Sequence, residues 1–354
     1  MFENINELLE IARSKGASDL HITVGVPPKI RVDGVLESIG EERVMPEDSE
    51  RIIMEIIPER LKEFFAEKGE VDFSHAVTGV GRFRVNAFRQ RGSLACVIRL
   101  VSVDIPSAVE LGLPESVTEL AYKKKGLVIV TGPTGCGKST TLASLIDVVN
   151  TNLNKHVITL EDPIEYLHRH KKSIVNQREI GIDSHSYSDA LRAALREDPD
   201  VILVGEMRDL DTIATAITAA ETGHLVLSTL HTTGAANTID RIIDVFPAHQ
   251  QQQIRIQLSS VLESVVSQLL LPKAEGHRVA AFEVMHSNPA IKNLIREGKT
   301  HQIDTIIQTN RKNGMITMDD AIHELYTSGQ ITAETAASYA QDPAVMARKC
   351  GVRG

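Results

Sequence analysis

The segment GPTGCGKS, residues 132–139, has the spacing of a phosphate-binding loop: glycine, four residues, glycine, lysine, then a hydroxyl. Glycines let the backbone bend and approach a ligand closely, and N–H groups at the amino end of a following helix converge on anionic oxygens. The candidate nucleotide-binding run is Gly132, Pro133, Thr134, Gly135, Cys136, Gly137, Lys138, Ser139 and Thr140. Lys138 would meet the outer phosphates and Ser139 would offer its hydroxyl to Mg²⁺. A bare glycine turn is the bland alternative. The flanks argue against it, because Leu127–Val130 reads as a buried strand and Thr140–Val149 as an amphipathic helix.

Hydrolysis needs more than a cradle: acids for metal and water, and a group that detects the terminal phosphate. ITLEDPIEY (158–166) crowds Glu161, Asp162 and Glu165 at a strand end, where like charges want a cation or a proton. REDPDVILVGEMRD (196–209) ends four apolar residues in Gly205-Glu206, where a phosphate-loop protein holds its metal or the metal's water. Asp is the usual residue there, and the longer arm of Glu206 would act through water. In TGHLVLSTLHTTGAAN (222–237), His231 follows the strand and His224 precedes it; either is a candidate phosphate-side group. Arg82, Arg84, Arg89, Arg91 and Arg99 are concentrated in an otherwise acidic chain. Arg82 and Arg84 share a strand face, which is either a solvated surface or a source of arginine fingers for a neighbouring subunit.

These residues need elements to carry them. The chain has 354 residues, 42% hydrophobic and 24% charged, which fits a soluble protein of two or three domains. A net charge of −9 weighs against a nucleic-acid grip as the main task. No apolar run reaches the ~18 residues of a membrane span, and the acidic opening lacks a signal-peptide core, so a cytoplasmic location is expected. Cys96, Cys136 and Cys350 form no CxxC pair, which argues against a zinc site or disulfide framework.

Residues 1–100 read as a small α+β domain with an antiparallel sheet. A helix carries Phe2, Ile5, Leu8, Leu9 and Ala12, and Asp33-Gly34 is a hairpin signal. A helical stretch at 46–66 breaks near Pro58, and residues 101–116, with Pro106 and Pro114, read as a linker. From 117 to 354, LVIVTG, HVITLED, DVILVGE and HLVLSTLH alternate with helices, which predicts a mostly parallel sheet covered on both faces. Past residue 247, including 250–271, the chain reads as largely helical, with one more strand at RVAAFEVM.

GPTGCGKSTT, EDPIEY, REDPDVILVGEMRD and GHLVLSTLHT, in this order, resemble the Walker A, Asp box, Walker B and His box of the secretion-type ATPases of type II secretion and type IV pili. The resemblance covers essentially the whole chain and is closer to the pilus-retraction ATPases. It includes ELLEIARSKGASDLHI, RFRVNAFRQRG, KKSIVNQREIG and AIKNLI, although Lys292 departs from the more usual arginine. Assembly ATPases typically carry a four-cysteine zinc motif and a longer amino-terminal region; the three cysteines here cannot make the first, and on the resemblance to retraction ATPases the second is not expected. The resemblance implies a homohexamer. Each subunit would join a PAS-like domain to a RecA-like P-loop NTPase domain, bind ATP and Mg²⁺, and act on an inner-membrane platform protein at the pilus base. It further implies Glu165 as the water-polarising glutamate, Glu206 as the acid near Mg²⁺, His231 as sensor, and Arg84 and Arg99 as phosphate-reaching arginines, with Arg82 beside them. ATP would draw the domains together, and phosphate release would let them turn about the linker. Three alternatives are an assembly or secretion ATPase, a RecA-like DNA motor marked by DNA-stimulated hydrolysis, and a non-hydrolysing scaffold. No N-K-x-D segment suggests GTP.

Overall fold

The computed structural model describes residues 4–32, 34–101 and 104–351, and divides into two compact units, Met1–Val103 and Asp104–Gly354. Phe2 of the first helix, Asp33 of the hairpin signal, and Ser102 and Val103 of the linker lie outside the described residues.

In the first unit, helix α1 (Ile5–Ser14) buries Ile5, Leu8, Leu9 and Ala12, and the Asn4 side chain accepts the Glu7 N–H at its start. Strands β1 (Asp19–Ile22), β2 (Lys29–Val32) and β3 (Val35–Ser38) follow. Helices α2 (Pro46–Ile56) and α3 (Glu59–Lys68) are separated at Pro58, which cannot continue the first of them. Strands β4 (Glu70–Val77), β5 (Gly81–Gln90) and β6 (Ser93–Leu100) complete an antiparallel sheet of order β3-β2-β1-β6-β5-β4. Its registers set Arg84 directly opposite Arg99, and Arg99 directly opposite Asp19.

The second unit opens with a single turn, α4 (Glu115–Thr118), and then β7 (Gly126–Thr131) and α5 (Lys138–Asn152). The sequence continues through β8 (His156–Glu161), β9 (Ile174–Glu179), α6 (Tyr187–Ala194), β10 (Val201–Val204), α7 (Leu210–Glu221) and β11 (Leu225–Leu230). After helices α8 (Ala235–Asp244) and α9 (Ala248–Val261) come β12 (Leu262–Pro272) and β13 (Arg278–His286). Helices α10 (Pro289–Glu297), α11 (Ile303–Thr309), α12 (Met318–Thr327), α13 (Ala333–Tyr339) and α14 (Pro343–Lys349) close the chain.

The sheet order is β13-β12-β7-β11-β10-β8-β9, parallel except for β13. Strand β7 is buried throughout, and its residues alternate between two cores. Leu127 and Ile129 pack with α6, α7 and α8, while Val128 and Val130 meet Leu142, Leu145, Ile146 and Val149 of α5. This is the two-sided cover that continuous apolar strands require. A further core joins α12, α13 and α14 to the sheet through Leu271 and Ala281.

Two readings change. Residues 262–272, expected to be helical, form β12, which pairs with both β7 and β13. Residues 174–179, not read as an element, form the edge strand β9.

Candidate active site

Strands β7, β8, β10 and β11 run parallel and in register, so the residues after them share one edge of the sheet. This is the edge at which open α/β sheets bind ligands. Gly132, Gly135 and Gly137 all take positive φ, at 143°, 79° and 92°. At Gly132 the need is also steric: a Cβ there would lie 2.3 Å from the Gln268 carbonyl oxygen. Gly137 precedes α5 without a side-chain cap, which leaves the first-turn N–H groups facing the loop. The Lys138 ammonium donates to the carbonyls of Gly132 at 2.8 Å and Pro133 at 3.1 Å. Lys138 is 8% exposed, and among the described residues no carboxylate lies within ion-pair distance of it. A buried cation held only by neutral dipoles is costly, and an anionic ligand is the natural counter-charge.

His231, just past β11, connects this loop to the acids. Its Nδ1 is 3.4 Å from Lys138 Nζ, and its Nε2 is 3.1 Å from Glu206 Oε1. Arg208 Nε donates to the same Glu206 oxygen at 2.7 Å. Burial pushes the Glu206 carboxyl up, but the Arg208 hydrogen bond and the His231 and Arg208 charges outweigh it and hold the group below its ordinary value. Glu161 differs. Burial pushes its carboxyl up, against hydrogen bonds from Thr159 (2.6 Å), Gln177 (3.0 Å) and the Glu165 backbone N–H. Its oxygens organise the loop rather than face outward. Asp162 and Glu165 are exposed and line a cleft of about 500 Å³ with Lys138, Ser139, Glu206 and His231. That volume suits a nucleotide-sized ligand.

The structure brings most of the expected residues together, with Thr134, Gly135, Gly137 and Thr140 also on the cleft. Cys136 is buried behind the loop, where its carbonyl accepts the Gln268 side chain, and Gly132 and Pro133 turn their carbonyls to Lys138. His224 does not join them. It sits before β11, its Nδ1 3.0 Å from the Ala219 carbonyl, and β11 separates it from His231 by about 20 Å. Two histidines bracketing a strand lie at opposite edges of the sheet, so His224 belongs to the turn after α7.

Arg82, Arg84 and Arg99 lie in the first unit. There Arg84 is 3.8 Å from Asp72 and Arg99 is 3.1 Å from Asp19. Several site residues escaped the motif reading. Tyr166 bonds Thr140 hydroxyl to hydroxyl at 2.9 Å, and Arg208 pairs with Glu206. Tyr187 is pushed up by burial first and by Asp162, Glu206 and Glu161 next. Gln268 donates to the Cys136 carbonyl at 2.7 Å and accepts from Thr141 at 2.8 Å. Tyr166 and Arg208 lay within segments whose chemistry the sequence had marked, whereas Tyr187 and Gln268 did not.

The oxygen donors here suit Mg²⁺, which prefers hard ligands and takes few from the protein when phosphates and water supply the rest. Ser139, in the first turn of α5, and Glu206 are the residues that would hold it, directly or through water. Among the described residues no cluster of three or more His, Cys, Asp or Glu side chains forms a metal site of its own. The three cysteines are free and buried. No helix among the described residues is long and apolar enough to cross a membrane.

A glycine cradle ahead of a helix, on the carboxyl edge of a parallel sheet, makes the second unit a P-loop nucleotide-binding α/β domain. The chain belongs to the family described as type II/IV secretion system protein, whose profile matches residues 1–349. It is 49% identical over 340 residues to the type IV pilus retractation ATPase PilT of Pseudomonas aeruginosa, covering 96% of this chain and 99% of that one. A twitching motility protein of Neisseria gonorrhoeae is 46% identical over 316 residues, covering 89% and 84%. The crystal structure of the pilus retraction motor PilT with bound ADP superposes with a TM-score of 0.91 at 51% identity, covering 98% of this chain and 100% of that one.

Proposed function

We propose that this chain is an ATPase motor that powers type IV pilus retraction, working as a homohexamer on a platform protein at the cytoplasmic side of the inner membrane. The observation that carries the nucleotide reading is the buried Lys138 ammonium, held by neutral carbonyls inside a glycine loop and linked through His231 to Glu206. The names of the similar proteins, a pilus retractation ATPase and a twitching motility protein, support the assignment to retraction.

The residues divide the work. The loop N–H groups and Lys138 bind the β- and γ-phosphates. Glu165 accepts a proton from the attacking water as its oxygen bonds to the γ-phosphorus; the bond to the bridging oxygen breaks, giving ADP and phosphate. Mg²⁺, when bound, offsets charge on the phosphate oxygens. His231 lies between Lys138 and Glu206 and registers whether the terminal phosphate is there. Arg84 and Arg99 of an adjoining subunit reach that phosphate. What supports this is their exposure and their place opposite each other on β5 and β6, with Asp72 and Asp19 as the resting partners that a phosphate would replace.

The test is a deletion in the cell of origin. Retained surface pili without twitching, restored by the wild-type gene but not by Lys138→Ala, is the expected result. Loss of pili altogether would mark an assembly motor instead.

A further inference from the structure

Glu165 stands in an irregular loop between β8 and β9 and is exposed to the cleft. A carboxylate that must meet a water in line with a phosphate cannot wander, so something must fix the loop. Strand β9 does. Residues 175, 177 and 179 share one of its faces by period-two alternation. The Gln177 amide is used at both ends: Oε1 accepts the His168 N–H at 2.8 Å, and Nε2 donates to the Tyr166 carbonyl at 2.8 Å and to Glu161 at 3.0 Å. Glu179, 4% exposed, accepts the Ile164 N–H at 3.2 Å. The loop is thus pinned at 161, 164, 166 and 168, on both sides of residue 165. None of these bonds uses the Glu165 side chain, which stays free for chemistry.

We infer that Gln177 and Glu179 are positioning residues for the hydrolytic step: β9 is a rack that sets Glu165 at its working distance. This rests on the reading of Glu165 as the residue that polarises water. The chemistry of the amide explains why residue 177 is Gln. One group must donate to two oxygens and accept one N–H. Leu offers neither, and Glu would place a second carboxylate against Glu161, whose own carboxyl burial already pushes up.

No β9 side chain bonds the phosphate loop, and the loop it braces meets the nucleotide-binding run at the Tyr166–Thr140 hydroxyl pair, so losing Gln177 should weigh on turnover far more than on binding. In the full chain, Gln177→Leu should lower kcat by about ten- to a hundred-fold, the effect of an ångström-scale misplacement. ADP affinity, titrated with a fluorescent analogue, should change far less than kcat. Gln177→Glu, which keeps the acceptor for His168, is the second variant and should show the same split. Unchanged turnover in Gln177→Leu overturns the inference. So does a parallel loss of turnover, ADP affinity and thermal stability in both variants, which would mark a purely structural role. Glu165→Gln is measured beside them. If it is inactive while Gln177→Leu runs at full rate, the positioning role fails and the Glu165 reading stands. If it keeps normal turnover, the Glu165 reading fails and the rack loses its object.

Discussion

Replacing Gly132 with Ala puts the phosphate cradle to a quantitative test. The added Cβ would sit 2.3 Å from the Gln268 carbonyl oxygen and 2.8 Å from Cys136 Sγ, whereas carbon and oxygen in comfortable contact lie about 3.3 Å apart or more. Something must move by roughly 1 Å. The oxygen belongs to the backbone of β12, which is bonded to β7 on one side and β13 on the other, so the strand is the stiffer partner and the loop must yield. Overpacking of this kind costs about 1–3 kcal/mol, and the φ of 143°, unsuited to an L side chain, costs about 1–3 kcal/mol more. If that cost falls on the binding-competent loop, ADP affinity drops by at least about twenty-fold. Gly135→Ala is the matched comparison. Its φ of 79° is also positive, but a Cβ there meets nothing within 4 Å, so only the conformational cost of about 1–2 kcal/mol applies. Calorimetric titration with ADP, with thermal melts to confirm folding, should rank Gly132→Ala below Gly135→Ala and both below wild type. Wild-type affinity in Gly132→Ala, or the reverse ranking, would refute the claim that close approach to β12 shapes the loop.

Two further perturbations follow from the same contacts. Gln268→Leu strands the Cys136 carbonyl and the Thr141 hydroxyl, each costing about 1–3 kcal/mol when buried without a partner. Both the melting temperature and ADP affinity should fall, and a titration matching wild type would show that the strut is dispensable. Arg208→Ala addresses Glu206, whose folded pKa lies below its ordinary value near 4.5. A carboxyl so depressed contributes stability that is present above the unfolded pKa and is lost as pH falls through the folded one. Removing Arg208 leaves burial pushing upward, so the acid edges of stability and turnover should move to higher pH. An unmoved edge in a pH series would show that Arg208 does not set the Glu206 charge.

The parts of the site legible in the sequence are those where backbone geometry dictates residue type. Three glycines in a short run meant three positive-φ positions, and acids just past apolar runs meant strand ends facing a ligand. The helical reading of 262–272 failed for a physical reason. Leu262, Val265, Val266 and Leu269 recur at helical spacing, yet in the fold Val265 packs in one core and Val266 in the other, as only a strand covered on both faces allows. The adjacent β-branched pair was the cue. Strand β9 was hidden because an edge strand with Asn, Gln, Arg and Glu shows no apolar alternation. The same two strands carry the struts. On β12, neighbouring side chains point to opposite faces: Ser267 accepts the Gly234 N–H at the head of α8, beyond His231, while Gln268 braces the phosphate loop. Glu283, paired with Ser267 across β13, accepts the next N–H, that of Ala235. The cradle and the His231 loop are therefore pegged to one strand from its two sides, and a shift of β12 relative to β7 must be felt by both. A lone glutamine or serine has no spacing that announces such a role, because its partners lie more than 30 residues away and are brought to it only by the completed sheet.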